Sequence, residues 1–60
     1  KANYVKALSE LSEKQRTVFL MARMEGLKYR EIAERLNISI KAVEKRMSIT
    51  LAYLKKALQE

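Results

Sequence analysis

The chain of 60 residues is long enough for one small domain, and its 13 Lys and Arg outnumber its seven acidic residues, all Glu, to give a net charge of +6. It contains no His, Cys, Trp or Pro, so a disulfide framework, a zinc finger and catalysis through thiol or imidazole are excluded. So short a chain buries only about 60% of the surface its unfolded form exposes. A hydrophobic content of 48% leaves packed helices as the route to a core. The longest purely apolar stretch is residues 18–22, too short to span a membrane. The first residues lack the apolar run and small-residue cleavage site of a signal peptide. Because the chain starts at Lys1 rather than Met, it is expected to be one domain, residues 1–60, of a longer polypeptide.

In chain order, residues 2–8 read as a short helix with Tyr4, Val5 and Leu8 on one side. Ser12-Glu13-Lys14-Gln15 fits a capping box, with Ser12 accepting from the third helical amide and Gln15 reaching back. The helix it opens is expected to run to about Met24 or Glu25 and to stop at Gly26, the sole Gly. That helix is apolar on more than one face at Val18, Phe19, Leu20, Met21 and Ala22, so part of it is expected to be a partner surface. Met21, Met24 and Met47 read as packing residues. Next, Tyr29, Ile32, Ala33 and Leu36 fall at i, i+3, i+4 and i+7, the buried stripe of a two-turn helix. Asn37 suits a left-handed turn, and Ser39 can cap the last helix. Its expected stripe is Val43, Met47, Leu51, Leu54 and Leu58. With only Asn37-Ile38-Ser39 between them, the last two helices must meet at a sharp corner. The expected architecture is all-α, with four helices ending in a helix-turn-helix.

The motif from Tyr29 to Val43 supplies a physical reason at each fixed position. Ala33 is small enough to let the second helix cross closely, Ile38 plugs the corner, and Val43 anchors the last helix. With Val43 and Met47 inward, Lys41, Glu44, Lys45 and Ser48 face solvent. In a helix-turn-helix, this face near the N-terminus of the second helix lies in the major groove. Lys can donate to guanine O6 and N7, and Glu can accept from the cytosine amino group. The alternative for this set is a solvated face with a Lys41–Glu44 pair at i, i+3. Arg30 and Arg46 flank the face and suit phosphate contacts, although Arg30 also reads as a solvated charge near Glu34. Ser39 is foremost a cap, with a phosphate contact as its second role. Tyr29 reads as core before ligand. Charge agrees with this half: residues 1–27 carry five cations and three Glu, residues 28–60 eight and four.

Residues 11–54 resemble region 4 of bacterial sigma factors, particularly the small extracytoplasmic-function group. The resemblance is carried by Leu11, Gln15-Arg16, Val18-Phe19, Glu25-Gly26-Leu27, Tyr29, Glu31-Ile32-Ala33, Leu36, Ile38-Ser39, Val43 and Leu51. It implies a winged-helix-like class of DNA-binding domain that recognises the −35 promoter element, while a region 2 melts the −10 element. It also implies docking on the RNA polymerase flap, sequestration by an anti-sigma factor and a cytoplasmic location; the composition itself leads to the expectation of no enzyme activity, metal, cofactor or membrane contact. The chain departs from the family at Lys28, where Ser or Thr is usual, so the cap before Tyr29 is expected to be weaker by roughly 1 kcal/mol. The effector domain of two-component and quorum-sensing regulators shares Gly26-Leu27, Glu31-Ile32-Ala33, Ile38-Ser39 and Val43, and stands as the alternative. A helical module that binds only an acidic protein partner is the alternative outside DNA binding.

Overall fold

The computed structural model describes residues 4–57, which form four helices and, among the described residues, no strand. They are α1 (Tyr4–Ser9), α2 (Glu13–Arg23), α3 (Tyr29–Leu36) and α4 (Ile40–Ala57). Ala2 and Leu58, placed in the first and last helices from sequence, lie outside the described residues, as does the side chain of Tyr4. The all-α, four-helix architecture with a C-terminal helix-turn-helix is the observed one.

Local chemistry sets each boundary. Ser12 Oγ accepts from the Gln15 amide at 3.3 Å and caps α2, but the expected return bond from Gln15 is not formed. Gly26 lies in the middle of the α2–α3 connection at a φ of 69°, a conformation without penalty for a residue that has no Cβ. At the corner between α3 and α4, Asn37 adopts φ 57° and ψ 47°. Its N–H donates to the Glu34 carbonyl at 3.3 Å, and the Ile38 N–H donates to the Ala33 carbonyl at 3.0 Å. These two bonds make a Schellman motif with Asn in the usual place of Gly. Ser39 Oγ then accepts from the Ala42 amide at 3.0 Å, capping α4. Lys28 supplies no side-chain cap to α3, but Glu31 Oε1 accepts from the Lys28 amide at 2.8 Å. That carboxylate also complements the positive end of the helix dipole, so α3 begins better supported than Lys28 alone suggests.

One core holds the helices together. Val18, Phe19 and Met21 of α2, Ile32 and Ala33 of α3, and Val43, Met47 and Leu54 of α4 are buried with Ala7 and Leu11. Tyr29 and Leu36 pack half-buried against its edge, which places Tyr29 with the core as expected. Arg16 fastens the α1–α2 connection: its Nη1 donates to the carbonyls of Leu8 at 3.3 Å and Leu11 at 3.1 Å. At the other side of α1, the Tyr53 hydroxyl donates to Glu10 Oε1 at 2.5 Å. This bond raises the Tyr53 pKa, with desolvation and the Glu10 charge adding to it.

Three expectations are corrected. The buried stripe of α4 uses Thr50, fully buried, while Leu51 is exposed. Seven residues from Val43 return to within about 20° of the same direction, whereas eight overshoot by about 80°, so geometry selects position 50 over the more apolar residue. Val5 is 75% exposed, and the inward side of α1 is Ala7 with half-buried Leu8. Met24 lies just past α2 and is 78% exposed, so it is no packing residue. On α2, Val18, Phe19 and Met21 are buried, and Leu20 and Ala22 pack half-buried against the core.

Candidate nucleic-acid interface

The corner at Asn37 fixes where α4 points, and the buried stripe fixes which side of it faces outward. Val43 and Met47 are directed into the core, leaving Lys41, Glu44, Lys45 and Ser48 exposed. Their spacing of three, one and three residues puts them on one side of the first half of α4. The four sequence-predicted base readers are therefore brought together on a single face. Ile40 and Ile49 are also exposed on this helix and were not singled out from sequence, because hydrophobic residues in an amphipathic helix are read first as core.

The three predicted phosphate residues are dispersed around this face. Arg30, the second residue of α3, is exposed. Ser39 is exposed at the corner, with its hydroxyl oxygen accepting the Ala42 N–H. Arg46 is half-buried and turned toward α2. There it lines a shallow cleft of about 180 Å³ with Glu13, Lys14, Thr17 and Leu36. Lys14 is thus a second cation beside Arg46, a neighbour that only the tertiary fold reveals. On the other side of α3, Arg35 and Glu25 approach to 3.8 Å with both side chains more than half exposed. Such a pair contributes about 0–1 kcal/mol.

The described residues include no group of three or more metal-ligating side chains. No described helix is long and apolar enough to cross a membrane. What the face offers is hydrogen-bond donors on two Lys, an acceptor on Glu44 and either on Ser48, on a helix whose opposite side is locked in the core.

The family model described as sigma-70, region 4 matches residues 1–54. The chain belongs to that family. The match selects the sigma reading of the helix-turn-helix over the effector-domain alternative. Region 4 is a promoter-DNA-binding domain of sigma factors, a transcriptional role distinct from enzyme catalysis, and it works with RNA polymerase. No curated protein and no solved structure matches the chain significantly. The motif residues quoted for the resemblance occupy structural roles in this region 4 domain. Arg16 holds the α1–α2 connection, Gly26 turns the chain, Glu31 supports the start of α3, and Ile32, Ala33 and Val43 form the crossing of the two motif helices. Leu51 alone among them is set outward on α4.

Proposed function

We propose that this domain reads the −35 promoter element as the C-terminal domain of an extracytoplasmic-function sigma factor. The observation that carries this reading is the joint exposure of Lys41, Glu44, Lys45 and Ser48 on the outward side of α4 in a region 4 chain. The N-terminal half of α4 enters the major groove, where Lys41 and Lys45 donate to guanine and Glu44 accepts from cytosine. Arg30, Arg46 and the amides beside Ser39 hold phosphates, which gives affinity without specifying sequence. One domain with so few contacts binds weakly alone. Its working affinity comes from tethering to the polymerase flap and to region 2 of the same factor, which raises the effective concentration. An anti-sigma factor that covers the face would switch the domain off.

Titration against a promoter library at several salt concentrations tests the division of labour. Lys45→Ala relaxes preference at one base pair, a discrimination of about 1–3 kcal/mol. Arg46→Ala weakens all sequences together and flattens the logarithmic salt dependence by about 0.9. Identical behaviour of the two variants would refute the division between reading and holding. Absence of DNA binding even at low ionic strength would overturn promoter reading and leave a protein-docking role.

A further inference from the structure

Arg46 is on neither the buried stripe of α4 nor its reading side. It follows Lys45 by one residue, so its side chain is rotated about 100° away from that of Lys45. It is half-buried and lines the cleft toward α2. Lys14 and Thr17, three residues apart on α2, line the same cleft of about 180 Å³ with Glu13 and Leu36. Lys14 is exposed and Thr17 half-buried. The side chains of Lys14, Thr17 and Arg46 make no hydrogen bond or ion pair with another described residue; the ion pair found among those residues is Arg35–Glu25. Two cations and a hydroxyl thus converge from separate helices on one opening. Glu13 at its rim pairs with neither cation, and the cleft keeps a net positive charge that an anion would offset.

An α-helix with its side chains is about 10–12 Å across and the major groove is about 12 Å wide. Residues on the flanks of a helix seated there therefore meet the phosphate walls. Arg46 is on such a flank, and α2 stands beside it. We propose that Lys14, Thr17 and Arg46 together hold one phosphate of the DNA backbone at the edge of the groove that α4 enters. By this contact α2, which is outside the helix-turn-helix, also touches DNA. The inference rests on the promoter-reading function proposed above and adds two α2 residues to the phosphate role given there to Arg46. The guanidinium offers paired N–H donors that match two phosphate oxygens, and the Lys14 ammonium acts as a point charge. The Thr17 hydroxyl donates to a remaining oxygen. Because the cleft is shallow, the phosphate enters while still joined to its strand. Such a contact gives affinity and register without reading sequence.

The test starts from the duplex that the protein prefers out of a randomised library. Each backbone phosphate in it is replaced in turn by a neutral methylphosphonate. At one position this weakens binding of the unaltered protein about tenfold, the worth of one charge-assisted contact. Lys14→Gln and Arg46→Gln, which keep aliphatic stems, each abolish most of the penalty at that same position and leave the others unchanged. Their double variant flattens the logarithmic salt dependence by about 0.9, as for one phosphate, and not by about 1.8, as for two. Equal thermal melting of the variants separates the effect from misfolding. Penalties lost at two different positions, or a full penalty surviving in Lys14→Gln, overturn the shared cleft while promoter reading stands. Saturation of the Thr17 and Arg46 amide shifts by inorganic phosphate, with no methylphosphonate position altered by either variant, assigns the cleft to a free anion and overturns the DNA contact. A library that yields no preferred sequence overturns promoter reading and this inference with it.

Discussion

The two halves of α4 share one helix axis and one way of packing, yet they turn different chemistry outward. Residues 40–48 bury Val43 and Met47, and residues 49–57 bury Thr50 and Leu54. Outward, the first half carries Lys41, Glu44, Lys45 and Ser48 with free access to solvent. The second half carries Leu51, Lys55 and Lys56, and its Tyr53 bonds to Glu10, the residue that follows α1. The corner at Asn37 explains the asymmetry. It holds the first half at the end of a tight turn, while α1 folds back along the second half. A continuous buried stripe therefore lets one helix present the proposed reading surface at one end and serve as scaffold at the other.

The comparison breaks if the halves do not depend equally on their core residues. Met47→Ala and Leu54→Ala are each expected to cost about 2–5 kcal/mol, close to the whole stability of so small a core. Urea unfolding should show both variants largely unfolded; tolerance of either would mean that one half is not anchored through the stripe. The scaffold half also contains a defect. Thr50 is completely buried and its hydroxyl has no hydrogen-bond partner among the described residues. Thr50→Val keeps the shape and removes the unpaired hydroxyl, which should stabilise by about 1–2 kcal/mol. A raised Tm with unchanged DNA affinity is the expected pair of results.

A smaller effect sharpens the reading half. Ser39→Ala removes the acceptor for the Ala42 amide and should cost about 1 kcal/mol, with faster hydrogen exchange at Ala42 than at amides near Leu54. The smallest effect belongs to the clasp between Tyr53 and Glu10, just past α1. Because the Tyr53 hydroxyl donates to Glu10, its pKa lies above the ordinary phenol value of about 10. The contribution is fully present below the unfolded phenol pKa and is lost as pH rises through the higher folded value. Ultraviolet titration should find one late-ionising tyrosine that Tyr53→Phe removes. If instead the variant leaves the alkaline titration unchanged, the bond does not hold α1 in solution.

The features legible in sequence were those decided by one residue's own chemistry. Gly26 and Asn37 mark the two positive-φ positions among the described residues, and Ser12 and Ser39 cap the helices they precede. The motif stripe of α3 was readable because its spacing matches one helical face. What failed depended on rotation or on neighbours. Leu51 looked like core because it is apolar, but two steps of four residues carry it off the buried side, and Thr50 takes the place. Met24 matched a hydrophobic pattern but fell just past the end of α2. The closeness of Lys14 to Arg46 arises from the packing of α2 against α4, which spacing along the chain does not encode. The reading face was legible as a set of exposed residues, since burial of Val43 and Met47 dictates the opposite side.

That separation has an evolutionary consequence. The residues that α4 buries and the residues proposed to read bases have no member in common. Substitutions at exposed positions away from caps usually change stability by less than about 0.5 kcal/mol. Gene copies of this domain can therefore diverge in promoter choice through a series of folded intermediates. The corner at Asn37 and the stripe beneath stay fixed while the message on the opposite side is rewritten.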